Sequence, residues 1–360
     1  MYQADAQSLL LAGPWTRWAW RVWSHGGAAT ALPDDTRAFH ADVVAGCGLG
    51  PLVAKALQQA GDARANWMGP LVRDTTAANL MRRSELQPLY ASLTANDVRW
   101  CLLKGAATMQ RFPDVTSLRR MTDIDLLVHA DDFRRVGDTL ASDGWKRVDD
   151  LGPVGSRWAC ENTWQRRRTI LVELDVHRAL HHTPIAQSLT ADLLAEVEVV
   201  NGLPVPSPTT ALLHIALHRA KSAWQGHAAE LLDARLLSNS LSDDEFEQLV
   251  ARARRNGLLN SLSVVLLATH WWLGEIPLRE QWHLQHLSAA SRDRVARLAM
   301  QGAKAMPIQD FWPRFLKIYA GLAYADGAQR EYLAAFVAHG AVRTLDKLYP
   351  AWSQLRSVIK

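Results

Sequence analysis

Between Arg119 and Val128 the chain reads Arg-Arg-Met-Thr-Asp-Ile-Asp-Leu-Leu-Val. Two carboxylates, Asp123 and Asp125, are separated by one apolar residue and run straight into an aliphatic stretch. In a strand, side chains two residues apart lie on one face. Asp123 and Asp125 therefore point the same way, with Ile124 turned into the core behind them. Parallel carboxylates so close together repel unless a cation lies between them. A hard, oxygen-seeking divalent ion such as Mg²⁺ is the natural partner, and it usually brings substrate phosphates with it. Asp-x-Asp alone is frequent. The apolar run after it is what marks a buried strand delivering its charged end to one place, because uncompensated buried carboxylates are expensive.

Two other segments carry chemistry. Leu102-Leu-Lys-Gly-Ala-Ala reads as a strand, a glycine turn and a helix start. A helix N-terminus offers unpaired N–H groups and positive potential to a phosphate. Gly105 would let a phosphate approach the backbone, and Lys104 adds a point charge. Leu171-Val-Glu-Leu-Asp-Val-His places Glu173, Asp175 and His177 on one strand face by period two. Three polar groups on one face of an otherwise aliphatic strand mean either a half-exposed sheet edge or a site.

The elements that must position these residues are legible as patterns. Helical periodicity recurs in Ser8–Val22, Thr36–Val44, Leu52–Ala60 and Ala77–Leu93. From Val98 the texture changes. Strands are expected at Arg99–Leu103, Ile124–Val128, Trp145–Val148, Arg157–Thr163 and Thr169–Val176, with a polar turn at Gln165–Arg168. Helices are expected at Ala106–Phe112 and from an Asp131 or Asp132 cap through Ala141. The order β-α-β-α-β-β-β describes a compact mixed unit. Pro204, Pro206 and Pro208 mark its far border. Beyond them helices are expected at Thr209–Lys221, His227–Ser238, Ser242–Arg255, Leu258–Leu273, Ala289–Ala303, Trp312–Ala325 and Gln329–Leu348. The division is thus a helical region over 1–95, a catalytic core over 96–207 and a second helical region over 208–360.

Composition sets outer bounds. Of 360 residues, 48% are hydrophobic and 21% charged, enough apolar material for a sizeable core. The formal net charge of +4 permits an anionic partner without requiring one. Three dispersed cysteines, Cys47, Cys101 and Cys160, with no Cys-x-x-Cys, indicate neither a disulfide framework nor a cysteine-based zinc site, and fit a reducing, cytoplasmic setting. The first residues lack the basic region of a signal peptide. No apolar run reaches membrane-spanning length; Val264–Leu273 comes nearest and reads as a buried helix.

Taken together, the segments match a known layout: strand-glycine-helix, then Asp-x-Asp on the next strand, then a third carboxylate on a later one. This resembles the nucleotidyltransferase superfamily with the DNA polymerase β-like core. It is most similar to the bacterial uncharacterised nucleotidyltransferase family. That likeness is carried by Leu103-Lys104-Gly105-Ala106, by Arg119 through Val128 and by Asp175-Val176-His177, and it extends over most of residues 40–260. The resemblance implies an α+β fold: a small mixed sheet with helices, flanked by N- and C-terminal helical regions. It also implies Mg²⁺-dependent (or Mn²⁺-dependent) transfer of a nucleoside monophosphate from ATP or another NTP to a hydroxyl or phosphate of an acceptor. Asp123, Asp125 and Asp175 would be the catalytic and metal-binding carboxylates, with Glu173 in reserve for the third. Lys104, Gly105, Ala106 and Arg119 would hold the nucleotide, an interior salt bridge being the equal alternative for Arg119. His177 and His181 would lie toward the acceptor, and the C-terminal helices would form one wall of its cleft. The superfamily's usual serine after the glycine is Ala106 here, so Lys104 must replace a hydroxyl contact.

Two other readings compete: a non-catalytic nucleotide-binding or regulatory module on this fold, and an enzyme acting on tRNA or other RNA. The modest charge does not favour nucleic acid. His214 and His218 are spaced for one helix face but lack a third ligand, and read as core or cap histidines. Arg166-Arg167-Arg168 reads as a solvated turn, and Trp15, Trp18, Trp20 and Trp23 as helix packing.

Overall fold

The computed structural model describes residues 6–24, 48–149, 159–181, 184–222, 228–274, 277–293 and 295–296. Two short strands with no outward-facing polar side make its centre: β1 (Trp100–Leu103) and β2 (Ile124–Val128) are buried at every residue. Such strands need cover on both faces. They belong to a five-stranded sheet ordered β1-β2-β5-β4-β3, with β3 at Lys146–Arg147, β4 at Glu161–Arg167 and β5 at Leu171–His177. β2 runs antiparallel to β1 and parallel to β5, and β5 pairs antiparallel with β4. In β5, Val172, Leu174 and Val176 are buried while Glu173 and Asp175 on the other face are half-buried, so period two sorts the strand.

Among the described residues, four helices precede the sheet: α1 (Ala6–Ser24), α2 (Gly50–Gln59), α3 (Ala65–Arg83) and α4 (Leu86–Ala95). α5 (Lys104–Arg111) leaves β1 directly, and α6 (Phe133–Ser142) follows β2. After the sheet come α7 (Pro184–Ala195), a ribbon of β6 (Val197–Val200) and β7 (Leu203–Pro206), then α8 (Pro208–Lys221), α9 (Ala229–Ser240), α10 (Asp243–Arg255), α11 (Leu259–Leu273) and α12 (Leu278–Gln285). This is the expected α+β architecture of a mixed sheet flanked by helices. One hydrophobic cluster runs through it, from Trp15 and Trp18 to Leu273. Trp15 and Trp18 are fully buried edge to face, and Thr16 and Arg17 donate to the Trp272 and Trp271 carbonyls, which ties α1 to α11.

Several boundaries differ from expectation for identifiable reasons. The single helix expected over Ala77–Leu93 is two, broken at Ser84-Glu85, where the Glu85 carboxylate is drawn into ion pairs with Arg166 and Arg168. Gln165, Arg166 and Arg167 belong to β4 rather than to a turn, because the Arg166 guanidinium lies over the Trp145 ring at 4.4 Å. Asp132 does not cap α6; its Oδ2 accepts from the backbone N and Nε of Arg99. Pro204 and Pro206 lie inside β7, where a two-stranded ribbon tolerates the missing N–H. Thr36–Val44, Trp312–Ala325, Gln329–Leu348, most of the second half of Ala289–Ala303 and Cys47 lie outside the described residues. Among the described residues no helix is long and apolar enough to cross a membrane.

Candidate active site

Strand order brings the carboxylates together. Asp125 and Asp175 are direct partners in the parallel β2–β5 register. Directly paired residues project to the same face, and Asp123, in the bend just before β2, is near enough to act on the Asp175 carboxyl. β4 completes the arrangement through consecutive same-face pairs with β5: Glu161 with His177, Thr163 with Asp175, Gln165 with Glu173. Each pair makes a contact. Thr163 Oγ1 donates to Asp175 Oδ1 at 2.7 Å, and Gln165 Nε2 donates to Glu173 at 2.8 Å. His177 Nδ1 lies 3.0 Å from Glu161 Oε2, while its Nε2 is 3.0 Å from Asp125 Oδ1.

On the other side of β2, Leu103 pairs with Asp125, so the next residue begins α5 beside that carboxylate. Lys104 takes a left-handed φ of +46°, which costs a non-glycine residue about 1–3 kcal/mol. Its Nζ donates to Asp125 Oδ1 at 2.6 Å. Burial alone would raise the Asp125 pKa, but Lys104 and His177 hold it well below the usual carboxylate range. Burial likewise opposes charge on His177, yet the Asp125 and Glu161 carboxylates raise its pKa. The hydrogen bond from His177 brings Glu161 down to about 2. Asp175 goes the other way: burial, reinforced by Asp125 and Asp123 and opposed by Thr163, pushes it up to about 6. Three neighbouring carboxyl groups thus have separate environments.

Gly105 and Arg119 form a different arrangement. Arg119 is buried, its Nε donating to both oxygens of the fully buried Asp233 at 2.8 and 3.0 Å, and its Nη1 donating to the Arg120 carbonyl. A Cβ on Gly105 would lie 2.1 Å from that Nη1. The glycine therefore makes room for a guanidinium, and Arg119 takes the interior of its two expected roles. Because Asp233 and the Arg120 carbonyl pin the guanidinium, it cannot simply retreat. Gly105→Ala is expected to destabilise the protein by about 1–3 kcal/mol, as overpacking does, measured by urea unfolding.

Other residues join the site without a sequence signal that singles them out. Asn79 on α3 donates to the Thr116 and Arg119 carbonyls and accepts from the Met121 N–H, fixing the loop that carries Asp123. Asp233 and Glu230 come from α9. Thr163 and Glu161 become recognisable only once the β4–β5 register is known. His177 is buried between two carboxylates rather than open toward an acceptor; His181 is half-buried in the segment after β5. His214 is buried, which pulls its pKa well below 6.5, and His218 Nδ1 lies 2.9 Å from Glu230.

As the side chains stand, no group of three or more His, Cys, Asp or Glu among the described residues is gathered around one point to hold a metal. Oδ1 of Asp123 accepts from Thr122, Oδ1 of Asp125 from Lys104 and His177, and Oδ1 of Asp175 from Thr163. Oδ2 of each makes no hydrogen bond among the described residues. Carboxylates with an oxygen to spare are the hard donors that a divalent cation prefers.

A mixed sheet with Asp-x-Asp entering its second strand beside a strand-helix junction defines a nucleotidyltransferase core. The model of the family described as "uncharacterised nucleotidyltransferase" matches residues 41–274, and the chain belongs to that family. Among solved structures, the antibiotic-resistance factor ANT(2'')-Ia is 16% identical, with a TM-score of 0.36 over 49% of this chain and 93% of its own. An antigenic nucleotidyltransferase-like protein from Paracoccidioides brasiliensis is 20% identical, with a TM-score of 0.32 over 50% of this chain and 91% of its own. No curated protein matches the chain.

Proposed function

We propose that this nucleotidyltransferase transfers a nucleoside monophosphate from an NTP to an acceptor hydroxyl or phosphate with the help of divalent cations, Mg²⁺ first among them. The observation that carries the reading is the pairing of Asp125 with Asp175 across β2 and β5, with Asp123 in the bend that leads into β2. Asp123, Asp125 and Asp175 would hold the metal, which supplies charge stabilisation at the phosphates and at the attacking oxygen. The chain's own residues supply the rest. Lys104 and His177 keep Asp125 ionised and fixed in place. Asp175, paired with Asp125 across β2 and β5 and held by the Thr163 hydroxyl, is placed to accept the acceptor's proton. Asn79 and the Arg119–Asp233 pair hold the Asp123 loop, so that little reorganisation is needed at the moment of reaction.

The direct test is incubation with each α-³²P-labelled NTP, Mg²⁺ and a cell extract, followed by identification of what becomes labelled. Label transfer that requires Mg²⁺ is the expected result; no transfer from any NTP rejects the reading. The role of Asp175 has its own pH signature. Thr163 Oγ1 stabilises the carboxylate form, so Thr163→Val is expected to move the acidic limb of the kcat/KM profile to higher pH. An unmoved limb would remove Asp175 from the proton-transfer role.

A further inference from the structure

The two cations that the sequence sets aside for the triphosphate are both engaged inside the protein: Lys104 with Asp125 and Arg119 with Asp233. A different arginine stands at the opening. Arg82, near the C-terminal end of α3, is half-buried, and its Nε donates to the Thr122 carbonyl at 3.0 Å. That carbonyl belongs to the peptide joining Thr122 to Asp123. Asn79, one turn earlier on α3, clamps the same loop through Thr116, Arg119 and Met121. The Arg82 side chain is therefore held by one N–H, while both of its NH₂ groups donate to nothing among the described residues.

Its electrical surroundings are unusual. Arg120 is exposed and close enough to repel Arg82, and the opposing charges nearby are those of Asp123 and Glu173. The Glu173 carboxylate already accepts from Gln165. The bond to the Thr122 carbonyl thus holds the Arg82 guanidinium next to the Asp123 peptide, at the edge of the carboxylate cluster. A guanidinium held by its Nε alone keeps the two NH₂ groups of its fork for phosphate oxygens. We propose that Arg82, together with the exposed Arg120 of the loop it clamps, forms the subsite for the β- and γ-phosphates of the incoming nucleoside triphosphate. The assignment rests on the nucleotidyl-transfer reading and adds to it the residues that hold the pyrophosphate end, the part that leaves. With Lys104 at Asp125 and Arg82 at the Thr122–Asp123 peptide, each acidic residue of the pair has a cation beside it.

Because the preferred base is open, inorganic tripolyphosphate with Mg²⁺ is the probe, and binding to the full chain is measured by isothermal titration. Arg82→Gln is expected to weaken tripolyphosphate binding roughly ten- to hundredfold, the loss of charge-assisted hydrogen bonds. Arg82→Lys should recover part of that loss. Arg120→Gln, at an exposed side chain that makes no bond within the described residues, should weaken binding a few-fold and leave the thermal midpoint unchanged. AMP affinity should be untouched in all three variants. An arginine that served only to clamp the loop would give a different result: Arg82→Gln would lower the thermal midpoint, and Arg120→Gln would bind tripolyphosphate as the wild type does. That outcome overturns the subsite. If labelled NTP is turned over while both glutamine variants keep wild-type tripolyphosphate affinity, the subsite is wrong and the proposed function stands. If the wild-type protein binds no triphosphate at all, both fall.

Discussion

Asp123→Asn is expected to abolish nucleotidyl transfer and leave the protein folded. Asp123 is half-buried and forms no ion pair among the described residues; its Oδ1 takes a hydrogen bond from the neighbouring Thr122 hydroxyl. Replacing it with an isosteric amide therefore strands no buried partner. What is lost is one negative oxygen where a divalent cation would be held. Charge stabilisation by such an ion is worth several kcal/mol in the transition state, so a loss of roughly three orders of magnitude in turnover follows. Mg²⁺-dependent nucleotide binding should fall with it, while the circular dichroism spectrum and thermal midpoint stay as in the wild type. Asp125 is the wrong position for this test: its Oδ1 holds both Lys104 and His177, and an amide there would leave a buried ammonium without its counter-charge. Wild-type turnover by the Asp123→Asn protein would reject the catalytic assignment.

The largest effect on stability belongs to Asp233, the fully buried partner of Arg119. Asp233→Ala should destabilise the protein by about 3–5 kcal/mol, because it leaves the Arg119 guanidinium buried and unpaired. Both partners are almost wholly enclosed, so solvent can do little to compensate. Removing both charges together, with Arg119→Met and Asp233→Leu, should cost much less than either single change, since an apolar pair of similar volume needs no counter-charge. Urea unfolding of Arg119→Met, Asp233→Leu and the double variant measures the cycle. A single-variant cost under about 1 kcal/mol would mean that water reaches the guanidinium and that the pair is not the anchor of the Asp123 loop.

How much of this could be read in advance differs by residue. Asp123 and Asp125 were visible because spacing by two and a following aliphatic run state both the face and the burial of a strand without reference to anything else. Gly105 was visible as an unusual position, but its partner was not: a glycine before a helix invites a phosphate reading, and here the absent Cβ accommodates Arg119 instead. Arg166 looked like part of a solvated turn until Trp145 and Glu85, which lie elsewhere in the chain, supplied the contacts that extend β4 through it. Asn79 carried no signal at all, because a buried amide that serves three backbone groups of a distant loop has no local pattern.

From its order of residues alone the protein declared its α+β class and its strand-helix alternation, since these follow from short-range periodicity. Which strands become neighbours was decided in three dimensions: Asp125 meets Asp175 because β5 inserts beside β2, and Arg119 meets Asp233 across 114 residues because α9 packs on α5. Pairing between remote segments depends on how whole faces bury one another, a sum over many contacts that no local stretch of sequence contains.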